Sequence, residues 1–158
     1  MSFGVTYKVK SLFFDRELVK REVGKLNAAA LSKIGAFVRL RARQSMRRRK
    51  SASPPGQPPS AQSRDPVATL KNILFSYDRA NVSVVIGPVR LNGRQGSVPA
   101  LHEFGGTATV RRPARRGRPA LVGQARYPAR PFMGPALAAE APQFPSLWVA
   151  SAGGKAAA

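Results

Sequence analysis

Apolar and polar residues alternate from Phe3 to about Phe13, with Val5, Tyr7 and Val9 on one face and Thr6, Lys8 and Lys10 on the other. A period of two predicts a half-buried strand. The period changes after Asp15. Leu18, Val19, Val23, Leu26, Ala30, Ile34, Phe37 and Val38 recur at steps of three and four, which predicts a long amphipathic helix with Asp15 as its N-cap. Extending the pattern through Arg39, Arg41, Arg43, Arg47, Arg48 and Arg49 to Lys50 gives that helix a basic C-terminal end. Cations there suit the helix dipole, although consecutive arginines repel one another.

Ser51 to Ser63 cannot support helix or sheet, because Pro54, Pro55, Pro58 and Pro59 remove donors and hold the backbone extended. Residues 51–66 therefore read as a linker or arm. Two β-branched and aromatic runs, Leu70 to Tyr77 and Val82 to Ile86, flank Asp78-Arg79-Ala80-Asn81 and predict a hairpin that Gly87-Pro88 ends. Asn92 to Gly96 reads as a loop, and Val98 to Phe104 as a further segment added to the sheet. Residues 108–127 form an Arg-rich arm, too polar to bury, that runs as an excursion between two sheet-forming segments. Pro135 suits the first turn of a short helix over Ala136 to Ala141, which Pro142 and Pro145 stop. Residues 151–158 read as a flexible tail. The expected fold is one α+β domain over residues 1–158: a long N-terminal amphipathic helix packed on a small antiparallel sheet, a short C-terminal helix and extended basic arms.

Charge changes this picture more than size does. The 158 residues hold 27 Lys and Arg against 7 Asp and Glu, a formal net charge of 27 − 7 = +20. Such self-repulsion calls for an anionic partner or a large assembly. The absence of cysteine excludes disulfides and thiolate metal sites. Charges at every second residue interrupt the N-terminus where a signal core would stand, and no apolar run reaches membrane-span length, so a soluble cytoplasmic product without membrane association is expected.

No constellation of residues points to catalysis, a metal or a cofactor. His102 is the sole histidine. On a strand, its side chain and that of Glu103 would face opposite ways and form no dyad. Gly105-Gly106 lacks the lysine of a phosphate loop and reads as a turn. The two basic clusters, Arg39 to Lys50 and Arg111 to Arg130, are richer in arginine than lysine, which favours bidentate contacts to phosphate or carboxylate. Arg47, Arg48, Arg49, Lys50, Arg111, Arg112, Arg115, Arg116 and Arg118 are the candidate contacts. Their partner is a nucleic-acid backbone, read without regard to sequence, or the acidic surface of a neighbouring protein; the plain alternative is a solvated surface with no partner. Trp148, with Phe144, Leu147 and Val149, makes an apolar patch that either closes the core or meets another subunit.

Two motifs stand in fixed order behind this helix and linker. Leu101-His102-Glu103-Phe104-Gly105-Gly106-Thr107 comes first, and Tyr127-Pro128-Ala129-Arg130-Pro131-Phe132-Met133-Gly134-Pro135-Ala136-Leu137 follows the Arg-rich run. Together they resemble the tail-completion, or neck, proteins of long-tailed bacteriophages and prophages, over most of the chain. Pro128-Ala129-Arg130-Pro131-Phe132 is the strongest single match. The resemblance implies a non-enzymatic structural subunit of the virion, assembled in the bacterial host cytoplasm. It would form a homo-oligomeric, six-fold ring that joins the head connector and adaptor proteins to the tail terminator or tail tube, around the channel for packaged double-stranded DNA. It also implies interface or structural roles for Glu103, Phe104, Gly105, Gly106, Pro128, Arg130, Pro131, Phe132 and Trp148. The alternatives are a tail terminator capping the tube and a basic, sequence-independent nucleic-acid-binding protein. The length and arginine content of Arg111 to Arg126 depart from the family pattern.

Overall fold

The computed structural model describes residues 15–61, 70–89, 98–112, 114 and 119–153. The alternating segment Phe3 to Phe13, the loop Asn92 to Gly96 and most of the turn of the Arg-rich arm lie outside the described residues.

The long helix, α1 (Arg16–Ser45), starts where its cap predicts: the Leu18 N–H donates to Asp15 Oδ1 at 2.9 Å. Its thirty residues span about 45 Å at 1.5 Å per residue. The apolar stripe becomes the core, with Ala30, Ile34, Val38 and Ala42 buried. The helix stops at Ser45 and does not run on to Lys50. Met46 is extended (φ −83°, ψ 103°) and fully buried, so the chain turns to place Met46 in the core. Leaving the helix there also spares Arg47 to Lys50 the crowding of like charges on successive turns.

The proline-rich stretch is not a free linker over its described part. The Gln57 N–H donates to the Pro54 carbonyl at 3.3 Å across Pro55-Gly56, with Gly56 at φ +77°, as a type II turn needs. The Gly56 N–H donates to the Ala129 carbonyl (2.8 Å) and the Ala61 N–H to the Arg47 carbonyl (3.2 Å), and Ser53 and Pro59 are buried. Fixed prolines lose little further entropy on docking, which favours this fastening.

The predicted hairpin forms from β1 (Ile73–Asp78) and β2 (Ser83–Pro88), antiparallel, with Ile73 opposite Pro88 and Asp78 opposite Ser83. At its tip the Asp78 carboxylate accepts from the Ala80 and Asn81 N–H groups and the Asn81 side-chain amide. These bonds, the Asn81 amide first, hold its carboxyl below the ordinary 3.8. The hairpin lies close on α1 at Gly35, where an added Cβ would sit 2.7 Å from Phe75 Cδ2 and 2.9 Å from Val84 Cγ2.

Val98 to Phe104 does not join the sheet: it is helical, α2 (Val98–Phe104). Pro99 fits a first helical turn, where its missing N–H is no loss. Gly105 closes the helix at φ +73°, its N–H donating to the Leu101 carbonyl at 2.9 Å. The strand begins only at Gly106. β3 (Gly106–Arg112) and β4 (Leu121–Tyr127) pair antiparallel from Gly106 opposite Tyr127 to Arg112 opposite Leu121, so the Arg-rich excursion is a hairpin arm. Among the described residues the strands form two separate two-stranded sheets instead of one.

The C-terminal helix comes in two pieces. α3 (Met133–Glu140) leads through a 3-10 turn (Ala141–Gln143) into α4 (Phe144–Gly153). Pro142 and Pro145 break the helix without ending it, because each falls in the opening turn of the next piece, where no N–H is required. Ser151 to Gly153 belong to α4 and not to a tail, and residues 154–158 lie outside the described set. α3 and α4 pack on α1, as does the β1–β2 hairpin, and the core runs through Ile34, Val38, Ala42, Met46, Ile73, Phe132 and Ala136. The molecule is an α+β fold with a long N-terminal helix, small antiparallel sheets and short C-terminal helices. Among the described residues no helix is long and apolar enough to cross a membrane.

Candidate assembly interface

The two sequence motifs meet in space. α3 begins without a capping side chain of its own, since Phe132 stands at its N-cap. Glu103 supplies the missing acceptor from the last turn of α2. Its Oε2 accepts from the Phe132 N–H (2.9 Å) and the Met133 N–H (3.0 Å), and its Oε1 from the Gly134 N–H (2.7 Å). A carboxylate on the first N–H groups of a helix satisfies donors that have no internal partner and complements the dipole. Beside it the Arg130 N–H donates to the His102 carbonyl at 2.6 Å, and Arg130 Nε donates to the Ser53 carbonyl at 2.7 Å. Gly105 makes the closure possible: a Cβ there would come within 3.0 Å of the Ala129 nitrogen and 3.1 Å of the Tyr127 carbonyl. Phe132, 1% exposed, is driven into the core by this clasp.

His102 and Glu103 are thus helical neighbours, not residues on opposite faces of a strand. Burial, and then the adjacent Arg130 charge, push the His102 imidazole below its ordinary 6.5. Its Nδ1 is buried with no hydrogen-bond partner among the described residues, as are the Ser53 and Ser60 hydroxyls. The role of Glu103 as a remote helix cap lay beyond sequence reasoning, yet one signal was present: a helix start reading Arg-Pro-Phe-Met has no Ser, Thr, Asp or Asn to cap it. Also unforeseen is the buried Glu140 carboxylate, which Arg41 Nε pairs with across α3 and α1.

Six of the nine predicted basic residues are among the described residues. Arg47, Arg48 and Lys50 are exposed, and Arg49 Nη1 reaches Gln57 Oε1 at 3.2 Å. Arg111 is exposed on β3 and Arg112 ends that strand, while Arg115, Arg116 and Arg118 lie outside the described residues. Among the described residues no hydrogen bond or ion pair links the two clusters. Among them, too, no group of three or more His, Asp or Glu side chains converges as a metal site.

Apolar surface is abundant instead. Phe104 is 81% exposed, Val149 72%, Val122 69% and Val85 64%. An open apolar groove of about 490 Å³ runs over α1 between β2 and the C-terminal helices. Leu31 and Ile34 of α1, Val84 and Ile86 of β2, Leu137 of α3 and Trp148 of α4 are among its walls, and Phe104 stands at it. Trp148 is half-buried: it packs on the core, and its Nε1 donates to Asn27 Oδ1 at 3.1 Å. Comparison with protein-family models, curated proteins and solved structures finds no match to this chain.

Proposed function

We propose that this protein is a structural subunit of a phage neck: a ring-forming tail-completion, or head-tail joining, protein between the head connector and the tail tube. The observation that carries this reading is the pairing of large exposed apolar side chains with a +20 charge on one small domain. Exposed apolar surface of this kind calls for protein neighbours, and the charge calls for an anion. A ring around a DNA channel, held between other proteins, provides both. The resemblance of the Glu103 and Arg-Pro-Phe motifs to neck proteins gives the reading its particular form. On this reading the Glu103 clasp fixes the subunit shape, and the arginines of the β3–β4 arm meet DNA backbone or acidic neighbours.

Negative-stain microscopy of the purified protein tests this directly. Closed rings, or particles seated at tail ends when tails are added, are expected. A protein that stays monomeric and forms only polydisperse complexes with nucleic acid would transfer the function to the basic nucleic-acid-binding reading, which the exposed Arg47, Arg48, Lys50 and Arg111 side chains would serve.

A further inference from the structure

The apolar groove and the first half of α1 are complementary surfaces on different parts of one molecule. Over residues 15–26 the apolar side chains Val19, Val23 and Leu26 follow the i, i+4, i+7 spacing of a helix that anchors in a groove. Val19 is 42% exposed, Val23 47% and neighbouring Leu18 44%, so this stripe continues past the part of α1 that α4 covers. The groove offers an apolar trough bounded by helices and the β2 edge, with Glu103 as its acid. That carboxylate is already committed to three N–H groups at the start of α3.

Charge decides which occupant fits. Two copies of a +20 chain repel over most of their surfaces. Residues 15–26 are an exception: Arg16, Lys20, Arg21 and Lys25 are offset by Asp15, Glu17 and Glu22, so the segment carries 4 − 3 = +1. The Lys20–Glu17 and Lys25–Glu22 pairs hold four of those charges within the helix, at 2.9 and 2.7 Å. A nearly neutral helix with an apolar stripe can approach another copy where the basic arms cannot.

We infer that the first half of α1 from one copy seats in the groove of the next, with Val19, Val23 and Leu26 against Leu31, Val84, Leu137 and Phe104. Plug and socket are different patches, so the contact is head-to-tail. Such contacts close into rings when the rotation allows it. This rests on the ring reading above and adds to it which surfaces carry the ring.

The chain has no cysteine and a single tryptophan, which lines the groove, so both trapping and spectroscopy are clean. Val23→Asp disables only the plug and Phe104→Asp only the socket, and both positions are exposed enough to leave the fold intact. Each variant alone should associate at least about tenfold more weakly than wild type, because a charge would enter an apolar contact. Mixed together, they should form a one-to-one dimer through the single intact plug and socket, with a shift in Trp148 emission. Oxidation of a Val23→Cys, Leu137→Cys double variant should give an intermolecular ladder. If wild type forms rings and both aspartate variants do too, or the mixture stays monomeric, this contact is wrong while the ring stands. If wild type never associates, the ring reading fails along with it.

Discussion

The Glu103 clasp and the β3–β4 arm are built from the same residue types, Arg, Pro, Gly and a few apolar side chains, and they come out as opposites. In the clasp, Arg130 holds the Ser53 carbonyl, Glu103 holds three N–H groups and Phe132 is 1% exposed. In the arm, Arg111 is exposed, Val122 is 69% exposed, and the two strands pack chiefly on each other, with α2 alongside. The difference lies in what each segment can reach. Arg130 sits where the Ser53 and His102 carbonyls are both within reach, whereas Arg111 is carried out on a two-stranded ribbon. An isolated ribbon is marginally stable in water, so it gains most from a neighbour. Composition alone does not separate a structural arginine from a contact arginine; proximity to acceptors does.

Breaking the clasp should have the largest effect. Phe132→Ala removes a fully buried aromatic ring from the cluster of Val38, Met46, Ile73 and Ala136. A loss of about 3–5 kcal/mol is expected, enough to leave the domain unfolded or unable to assemble. Urea denaturation followed by circular dichroism measures it. A loss under about 1 kcal/mol would mean that the ring can leave the core cheaply, and that the clasp is no more structural than the arm.

The same contrast explains what was legible in the sequence. α1, its Asp15 cap and the β1–β2 hairpin follow from periodicity and turn chemistry, which are local; the hairpin course of the Arg-rich arm was expected, but not that its strands would lie within residues 108–127 themselves. The sheet segment expected at Val98 to Phe104 failed because the apolar spacing of so short a run fits either period; Pro99 and Gly105, a helix opener and a helix closer, were the deciding residues. α1 stopped early because Met46 had a place in the core, a tertiary fact no helical pattern contains. The proline-rich stretch docked because the Ser53 carbonyl found Arg130 and Gly56 found Ala129, partners more than seventy residues away in the chain. Arg130 and Phe132 could be singled out as motif residues, but that Glu103 would cap their helix could not.

Next in size is the clasp carboxylate. Glu103→Ala strands three N–H groups at the start of α3, and removing a charged acceptor of this kind costs about 1.5–3 kcal/mol. Glu103→Gln keeps one carbonyl acceptor and should recover part of the loss. Amide hydrogen exchange at Met133 and Gly134 should rise in the alanine variant while the β3–β4 amides are unchanged. Equal changes in both regions would mean that clasp and arm are coupled, not independent.

Smaller again is the effect of pH through His102. Its folded-state pKa is lowered, by burial first and by Arg130 second, so the fold favours the neutral ring. Above the ordinary value of 6.5 the ring is neutral in folded and unfolded chains alike, and this stability is fully present. As pH falls below 6.5 the unfolded chain takes up the proton first, and stability should decline until the folded pKa is passed. Thermal melts between neutral pH and pH 5 should show the decline, and His102→Gln should flatten it. A His102→Gln variant with an unaltered pH profile would assign the titration to other groups.

The smallest effect on stability belongs to the arm, and there it is the point of the test. Replacing Arg111, Arg112, Arg115, Arg116 and Arg118 together by Gln removes exposed or arm-borne charge, so unfolding free energy should stay within about 0.5 kcal/mol per site, as for surface substitutions generally. Partner contact should change sharply instead. If the arm meets DNA backbone, affinity falls steeply with salt in the wild type, each neutralised phosphate adding about 0.9 to the slope of log affinity against log salt, and the variant should lose a corresponding share of that slope. Particles built from it should then assemble but leak DNA. If the arm docks on acidic proteins, the slope is unaffected and heads and tails stay unjoined. Stable, infectious particles in normal numbers would leave the arm as solvated surface. A variant that unfolds would show that these arginines, like Arg130, hold the domain together, and the contrast between arm and clasp would collapse.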